Sequence, residues 1–103
     1  MLEQVWIGLV GVLPHPGSTV LGDAKGAFVN AVALVRGEPA FRDAVGTALF
    51  RLGLVAFEFE DIEPLSERTS DWSVDEELLD LARQVASVGG VRFGRFHNFR
   101  NVD

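Results

Sequence analysis

The stretch that most constrains this chain is "QVWIGLVGVL", residues 4–13, which contains no charged residue. In a strand, successive side chains point to opposite faces. One face then carries Val5, Ile7 and Leu9, and the other carries Trp6, Val10 and Val12. A strand that is apolar on both faces must be buried on both, so we predict a central strand here. Two prolines, Pro14 and Pro16, end it.

Three more elements follow along the first two thirds of the chain. After an aperiodic loop at 17–25, "GAFVNAVALV" (26–35) is predicted to be a second apolar strand. A helix is predicted from Pro39, with apolar residues at helical spacing to Leu52 and Gly53 as its cap. "LVAFEFEDI" (54–62) predicts a strand with one wet face: Val55, Phe57 and Phe59 alternate with Ala56, Glu58 and Glu60.

The last third predicts one more helix and one more strand. Ser73 and Glu76 have the spacing of a capping box, and an apolar stripe runs from Leu78 to Val88. The final strand is "VRFGRFHNFR" (91–100). Its alternation predicts that one face carries Val91, Phe93, Arg95, His97 and Phe99.

The order β-β-α-β-α-β predicts an α+β fold in one domain, residues 1–103. We expect a two-layer sandwich: a mainly antiparallel sheet of about four strands with both helices on one face. A short extra strand in "PLSERTSDW" would complete a ferredoxin-like arrangement. The other sheet face would then be open to solvent or to a partner.

Composition excludes several classes of function. The chain has no cysteine, which removes disulfides, thiolate catalysis and cysteine-based metal sites, and favours a bacterial cytoplasmic protein. Apolar runs of about ten residues are too short to span a bilayer, and no signal-peptide pattern is present, so we expect no membrane association. A net charge of −6 argues against nucleic acid as a partner.

No motif in the sequence predicts an enzyme, a cofactor or a metal site. Gly17 and Gly22 have P-loop spacing, but Asp23 stands where the phosphate-binding lysine belongs. His15 and His97 are not at metal-ligand spacing. His97 could act as a general base only if a carboxylate oriented it, and the candidates are Glu58 or Glu60 on a neighbouring strand.

The final strand mixes Phe with Arg, which is typical of single-stranded nucleic-acid platforms. An RNP1 motif requires glycine followed by an aromatic residue, whereas this chain has Phe93 followed by Gly94. The alignment fails at the positions that stack on bases. We therefore expect the arginines of this strand to pair with the acids at Glu58 and Glu60 across the sheet.

These observations favour a non-enzymatic protein-interaction domain. Trp6, Val10 and Val12 need cover on the open face, and a homodimer would supply it. An acidic segment, residues 58–80, suggests an immunity-type or regulatory protein that binds a basic partner. The candidate interaction residues are Glu58, Glu60, Asp61, Arg95, His97 and Phe99. The alternative is a small-molecule-binding or sensor domain with its site under the 14–26 loop.

Overall fold

A computed structural model of the protein describes residues 2–71 and 76–99. Within these ranges the fold is α+β, as predicted, with a mainly antiparallel open sheet. The elements are β1 (Gln4–Pro14), β2 (Gly26–Val35), α1 (Glu38–Arg51), β3 (Leu54–Pro64), α2 (Leu65–Asp71), α3 (Glu76–Val88), β4 (Val91–Phe93) and β5 (His97–Phe99).

The sheet has the strand order β3-β1-β2-β4, and β5 also pairs with β2. All pairings are antiparallel, and Val10 of β1 lies opposite Val29 of β2. β1 therefore has a partner strand on each side, which confirms the prediction of a central strand. β3 forms one edge of the sheet, and β4 and β5 together form the other.

The helices lie on opposite faces of the sheet. On β2, Val29, Ala31 and Ala33 pack into one core cluster that also contains three side chains of α1, namely Phe41, Val45 and Leu49. Val32 points the other way and packs with Ala82 and Val85 of α3. We call these two sides the α1 face and the α3 face. The expectation that both helices cover one face is wrong, because β1 and β2 are apolar on both sides and each side needs a cover.

This arrangement removes the reason for expecting a second molecule over the first strand. Val10 and Val12 are fully buried in the α1-face core, and Trp6 is half-buried against it. Ile7, which points to the α3 face, is also fully buried. The side chains that were expected to need a partner are covered within the chain.

A helix takes the place of the predicted extra strand. Residues 65–71 form α2, and its Leu65 packs against the α3-face core. The element order is consequently β-β-α-β-α-α-β-β, and the ferredoxin-like arrangement is not confirmed. α3 begins at Glu76, whereas the capping residue Ser73 lies outside the described residues.

The final strand is broken, and the break turns its two halves to different faces. Phe93 of β4 lies opposite Ala31, whereas His97 of β5 lies opposite Phe28. Four steps along the edge strand thus match three steps along β2, so one extra residue is inserted as a bulge. Phe93 points to the α1 face and His97 to the α3 face. The prediction that they share a face is wrong, because alternation does not survive an inserted residue.

β3 is interrupted in the same way. Its pairing with β1 shifts register between Ile7 and Leu9 and again between Gly11 and Val12. Phe59 lies opposite Val10 and its ring packs edge-on against Phe41 of α1, with centroids 6.4 Å apart. Val55, by contrast, lies opposite Leu13 on the α3 face. The predicted single face of Val55, Phe57 and Phe59 is therefore wrong.

The contribution of α3 packing to the free energy of unfolding can be measured with a matched pair of variants. Val85 is fully buried on α3, whereas Val88 on the same helix is 71% exposed. We expect Val85→Ala to lower the free energy of unfolding by about 2 kcal/mol, since it removes buried methyl groups and leaves a cavity. Val88→Ala removes the same methyl groups from an exposed site at the last residue of α3 and should leave stability within about 0.5 kcal/mol. Urea denaturation measures both, and equal effects would contradict this placement of α3.

Candidate functional site

Part of the α3 face is left uncovered. α2 and α3 cover the end of the sheet that carries Ile7 and Val32, both of which are essentially inaccessible. Toward the other end, Leu13, Val55 and Phe57 remain 40%, 44% and 47% exposed. With the half-buried Leu9 and Phe28, these residues form an apolar surface that we call the bare patch. It lies over β1, β2 and β3 beyond the reach of the helices.

A glycine makes the centre of the bare patch possible. The rings of Phe28 and Phe57 meet edge-on across Gly11, with centroids 6.0 Å apart. A Cβ atom at position 11 would lie 2.6 Å from Cζ of Phe57 and 3.1 Å from Cε1 of Phe28. The absence of a side chain at Gly11 thus allows two aromatic rings from different strands to pack over the middle of the sheet.

Charged residues flank the bare patch on its two edges. The register aligns Glu58, Gly11, Phe28 and His97 in one row across the α3 face. Glu60 occupies the next row, opposite Leu9. The acids belong to the β3 edge, whereas His97 belongs to the β5 edge three strand spacings away, about 14 Å. The predicted cross-strand pairing of the arginines with these acids is therefore wrong, and neither glutamate is on a strand adjacent to His97.

The predicted interaction residues thus form two groups. Glu58, Glu60 and Asp61 are exposed on β3. Asp61 has a positive φ of 54°, and its carbonyl accepts a 2.9 Å hydrogen bond from Nη2 of Arg68. At the opposite edge Arg95, in the bulge, and His97 are also exposed. Phe99 pairs with Gly26, and its side chain lies outside the described part of the structure.

A polar pocket adjoins the bare patch at the broken edge strand. It has a volume of about 250 Å³. Its lining combines three elements: β2, the first turns of α3, and the bulge with β5. The lining residues are Asn30, Glu77, Leu78, Gly94, Arg95 and His97.

Gly94 holds the wall of this pocket in place. Its N–H donates a 2.9 Å hydrogen bond to the carbonyl of Asn30. A Cβ atom at position 94 would lie 3.7 Å from Oε1 of Glu77, so this carboxylate comes close to the bulge. Glu77 is therefore the acid that shares a pocket with His97, and the sequence reasoning missed it. The inserted residue turns His97 toward α3, and no sequence signal marks that bulge.

A second depression lies on the α1 face. It is an open groove of about 910 Å³ between α1 and β4. Its floor is apolar and includes Ala44, Ala48 and Phe93, while Asp43 and Arg51 stand among its polar residues. Neither depression is lined by residues of the 14–26 loop. That loop instead buries its own Leu21 and Ala24 in the α1-face core.

The other histidine of the chain, His15, has a packing role in the described structure. The ring of His15 packs edge-on against Phe50 of α1, with centroids 4.7 Å apart. In residues 2–71 and 76–99, no group of three His, Asp or Glu side chains is arranged to hold a metal ion. Among the helices within these same ranges, none is long and apolar enough to cross a bilayer.

Comparison with protein-family models, with curated proteins and with solved structures finds no match to this chain.

The role of Gly11 gives a test with an internal control. Gly11→Ala should lower the free energy of unfolding by about 1 kcal/mol, because the new methyl group displaces the ring of Phe57. Gly46→Ala, in α1, meets no atom within 4 Å and should raise stability by about 0.5–1 kcal/mol through helix propensity. Chemical denaturation of both variants is the measurement. A stabilising Gly11→Ala would contradict the packing of the two rings over Gly11.

Proposed function

We propose that this protein is a non-enzymatic protein-interaction domain whose docking surface is the bare patch, and that it binds a second copy of itself there. The observation that carries the proposal is an apolar, aromatic-centred sheet surface left uncovered by the helices, with acids along one edge and basic residues along the other. Exposed aromatic residues surrounded by polar ones are typical of interaction sites.

The distribution of charge favours self-association in one orientation. A two-fold axis parallel to the strands, between β1 and β2, would bring the β3 edge of each copy against the β5 edge of the other. Glu58 would then face His97 of the second copy, and Glu60 would face its Arg95. A two-fold axis across the strands would instead bring like charges together. The first arrangement is self-complementary, as an isologous dimer interface has to be.

The size of the bare patch favours a weak and reversible dimer. Three strands at about 4.8 Å each and the five residues of β1 from Leu9 to Leu13 at about 3.3 Å each give a footprint of roughly 15 Å by 15 Å. This is small beside the roughly 800 Å² per partner of a standard stable interface. We therefore expect monomer to predominate at tens of micromolar protein, and dimer to appear only at roughly hundreds of micromolar.

An immunity-type or regulatory role toward a basic protein is the second candidate. It is favoured by the three exposed carboxylates of Glu58, Glu60 and Asp61 on the edge strand β3, together with the net charge of −6. A basic toxin encoded by a neighbouring gene would be the partner to test. Binding of that protein by a chain that stays monomeric at high concentration would favour this candidate over the homodimer.

The bare patch can be tested with two phenylalanines on opposite faces. Phe57 lies in the patch and is 47% exposed, whereas Phe50 lies on α1, outside the patch, and is 65% exposed. Sedimentation equilibrium from about 10 to 500 μM should show a reversible dimer for the wild type and for Phe50→Glu. Phe57→Glu should remain monomeric, because it places a charge in the apolar centre of the interface. A wild type that is strictly monomeric at 500 μM would refute self-association.

The orientation of the two copies can be tested by exchanging charges. Glu60→Arg and Arg95→Glu should each weaken the dimer by about three- to tenfold, since each places like charges across the interface. The double variant restores opposite charges and should recover most of the loss. Sedimentation at low and high salt measures the coupling. Additive losses in the double variant would exclude the two-fold axis parallel to the strands.

A further inference from the structure

We infer that the open groove on the α1 face is the docking site for an amphipathic α-helix of another protein. The groove has a volume of about 910 Å³ and lies between α1 and the edge strand β4. Its apolar lining comes from both sides: Val35, Ala44, Ala48, Leu52, Val91 and Phe93. Two residues of opposite charge, Asp43 and Arg51, line it as well. The apolar lining fixes the kind of ligand, and the two charges fix its pattern.

The layer of helices on this face of the sheet is incomplete. An α-helix is about 10 Å wide, whereas four strands at about 4.8 Å each span about 19 Å. Within the described residues, α1 is the helix that enters the core of this face, and it packs on β3 and β2 but hardly touches β4. The groove therefore occupies the position of a second helix beside α1. An added strand would have little to pair with, because β4 is only three residues long.

The side of α1 that lines the groove allows a second helix to approach closely. Ala40, Ala44 and Ala48 are four residues apart and form one ridge along this side. Small side chains in such a ridge let two helix axes come within about 8 Å. From Ala40 to Leu52 the groove runs for about 18 Å along α1, which is the length of about twelve helical residues.

Asp43 and Arg51 specify the charges of the docked helix. Both are exposed, and neither has an ion-pair partner within residues 2–71 and 76–99. They lie eight residues apart on α1, about 12 Å along its axis. A helix in the groove therefore needs a basic side chain beside Asp43 and an acidic one beside Arg51, about eight residues apart, with large apolar residues between them.

A second copy of this chain does not fit the groove. Its α1 would offer the same small side chains, Ala40, Ala44 and Ala48, which leave the groove unfilled. The groove and the bare patch also lie on opposite faces of the sheet, and the proposed dimer contact uses neither Asp43 nor Arg51. Helix binding should therefore be measurable on the monomer at about 20 μM protein. A failure of self-association leaves this inference standing, and the reverse also holds.

The probes are three designed peptides of about 16 residues, long enough to be partly helical in water. All carry leucines along one face. The first has one glutamate and, about eight positions later, one lysine; the second has lysine at both positions, and the third has glutamate at both. Titration of the labelled protein, followed by amide NMR at about 150 mM salt, measures the affinity and locates the site.

The mixed peptide should bind with a dissociation constant between about 10 μM and 1 mM, and each like-charged peptide about three- to tenfold more weakly. The amide shifts should map to α1 and β4, and Phe57→Glu, which alters the bare patch, should bind as the wild type does. The inference is wrong if no peptide binds below about 1 mM, if all three bind equally, or if the shifts map to the bare patch.

Charge variants then test the two flanking residues. Arg51→Glu should move the preference toward the two-lysine peptide by about tenfold relative to the wild type, and Asp43→Lys should move it as far toward the two-glutamate peptide. Both positions are exposed, so folding should be retained. Lys25→Glu, at an exposed loop position outside the groove, changes the net charge as much as Arg51→Glu and should move the preference less than about twofold. Equal shifts in Lys25→Glu and Arg51→Glu would show that only net charge is sensed and would overturn the inference.

Discussion

The β1–β2 hairpin can be buried only if both of its faces are covered, and this requirement places the helices. Both strands carry apolar side chains on both faces: Val10 and Val29 point to the α1 face, while Ile7 and Val32 point to the α3 face. Each fully buried side chain of this kind contributes about 1.5–3 kcal/mol relative to exposure. α1 therefore covers one face and α3 the other, and the sheet becomes the middle layer of three.

The edge strands follow a different rule from the central pair. β3 and the β4–β5 strand each bond to the sheet on one side within the described residues, so inserted residues disturb few hydrogen bonds there. Their bulges redistribute side chains between faces: Phe59 enters the α1-face core, and His97 turns to the α3 face beside Phe28. Bulges and carboxylates along β3 also discourage uncontrolled pairing of a free edge. The bare patch and the polar pocket are both products of these interruptions.

The amino-acid sequence predicts which candidate residues belong to one surface, but it does not predict which of them are neighbours. Glu58, Glu60 and His97 do share the α3 face and flank one apolar surface. Their expected direct pairing fails because β1 and β2 lie between them, and strand order is a long-range property. Glu77 lies in the first turn of α3, and nothing in its local sequence indicates that it shares a pocket with Arg95 and His97.

Strong periodicity and breaker residues specify the local elements of this fold, so these elements follow from the amino-acid sequence alone. β2 spans 26–35 as its apolar run predicts, and α1 ends just before Gly53, whose φ of 84° suits a residue without a side chain. Tertiary structure decided which face each helix covers, that residues 65–71 are helical, and where the edge strands bulge. These outcomes depend on competition between distant segments for the same apolar surface, and alternation along one strand carries no information about the strand beside it.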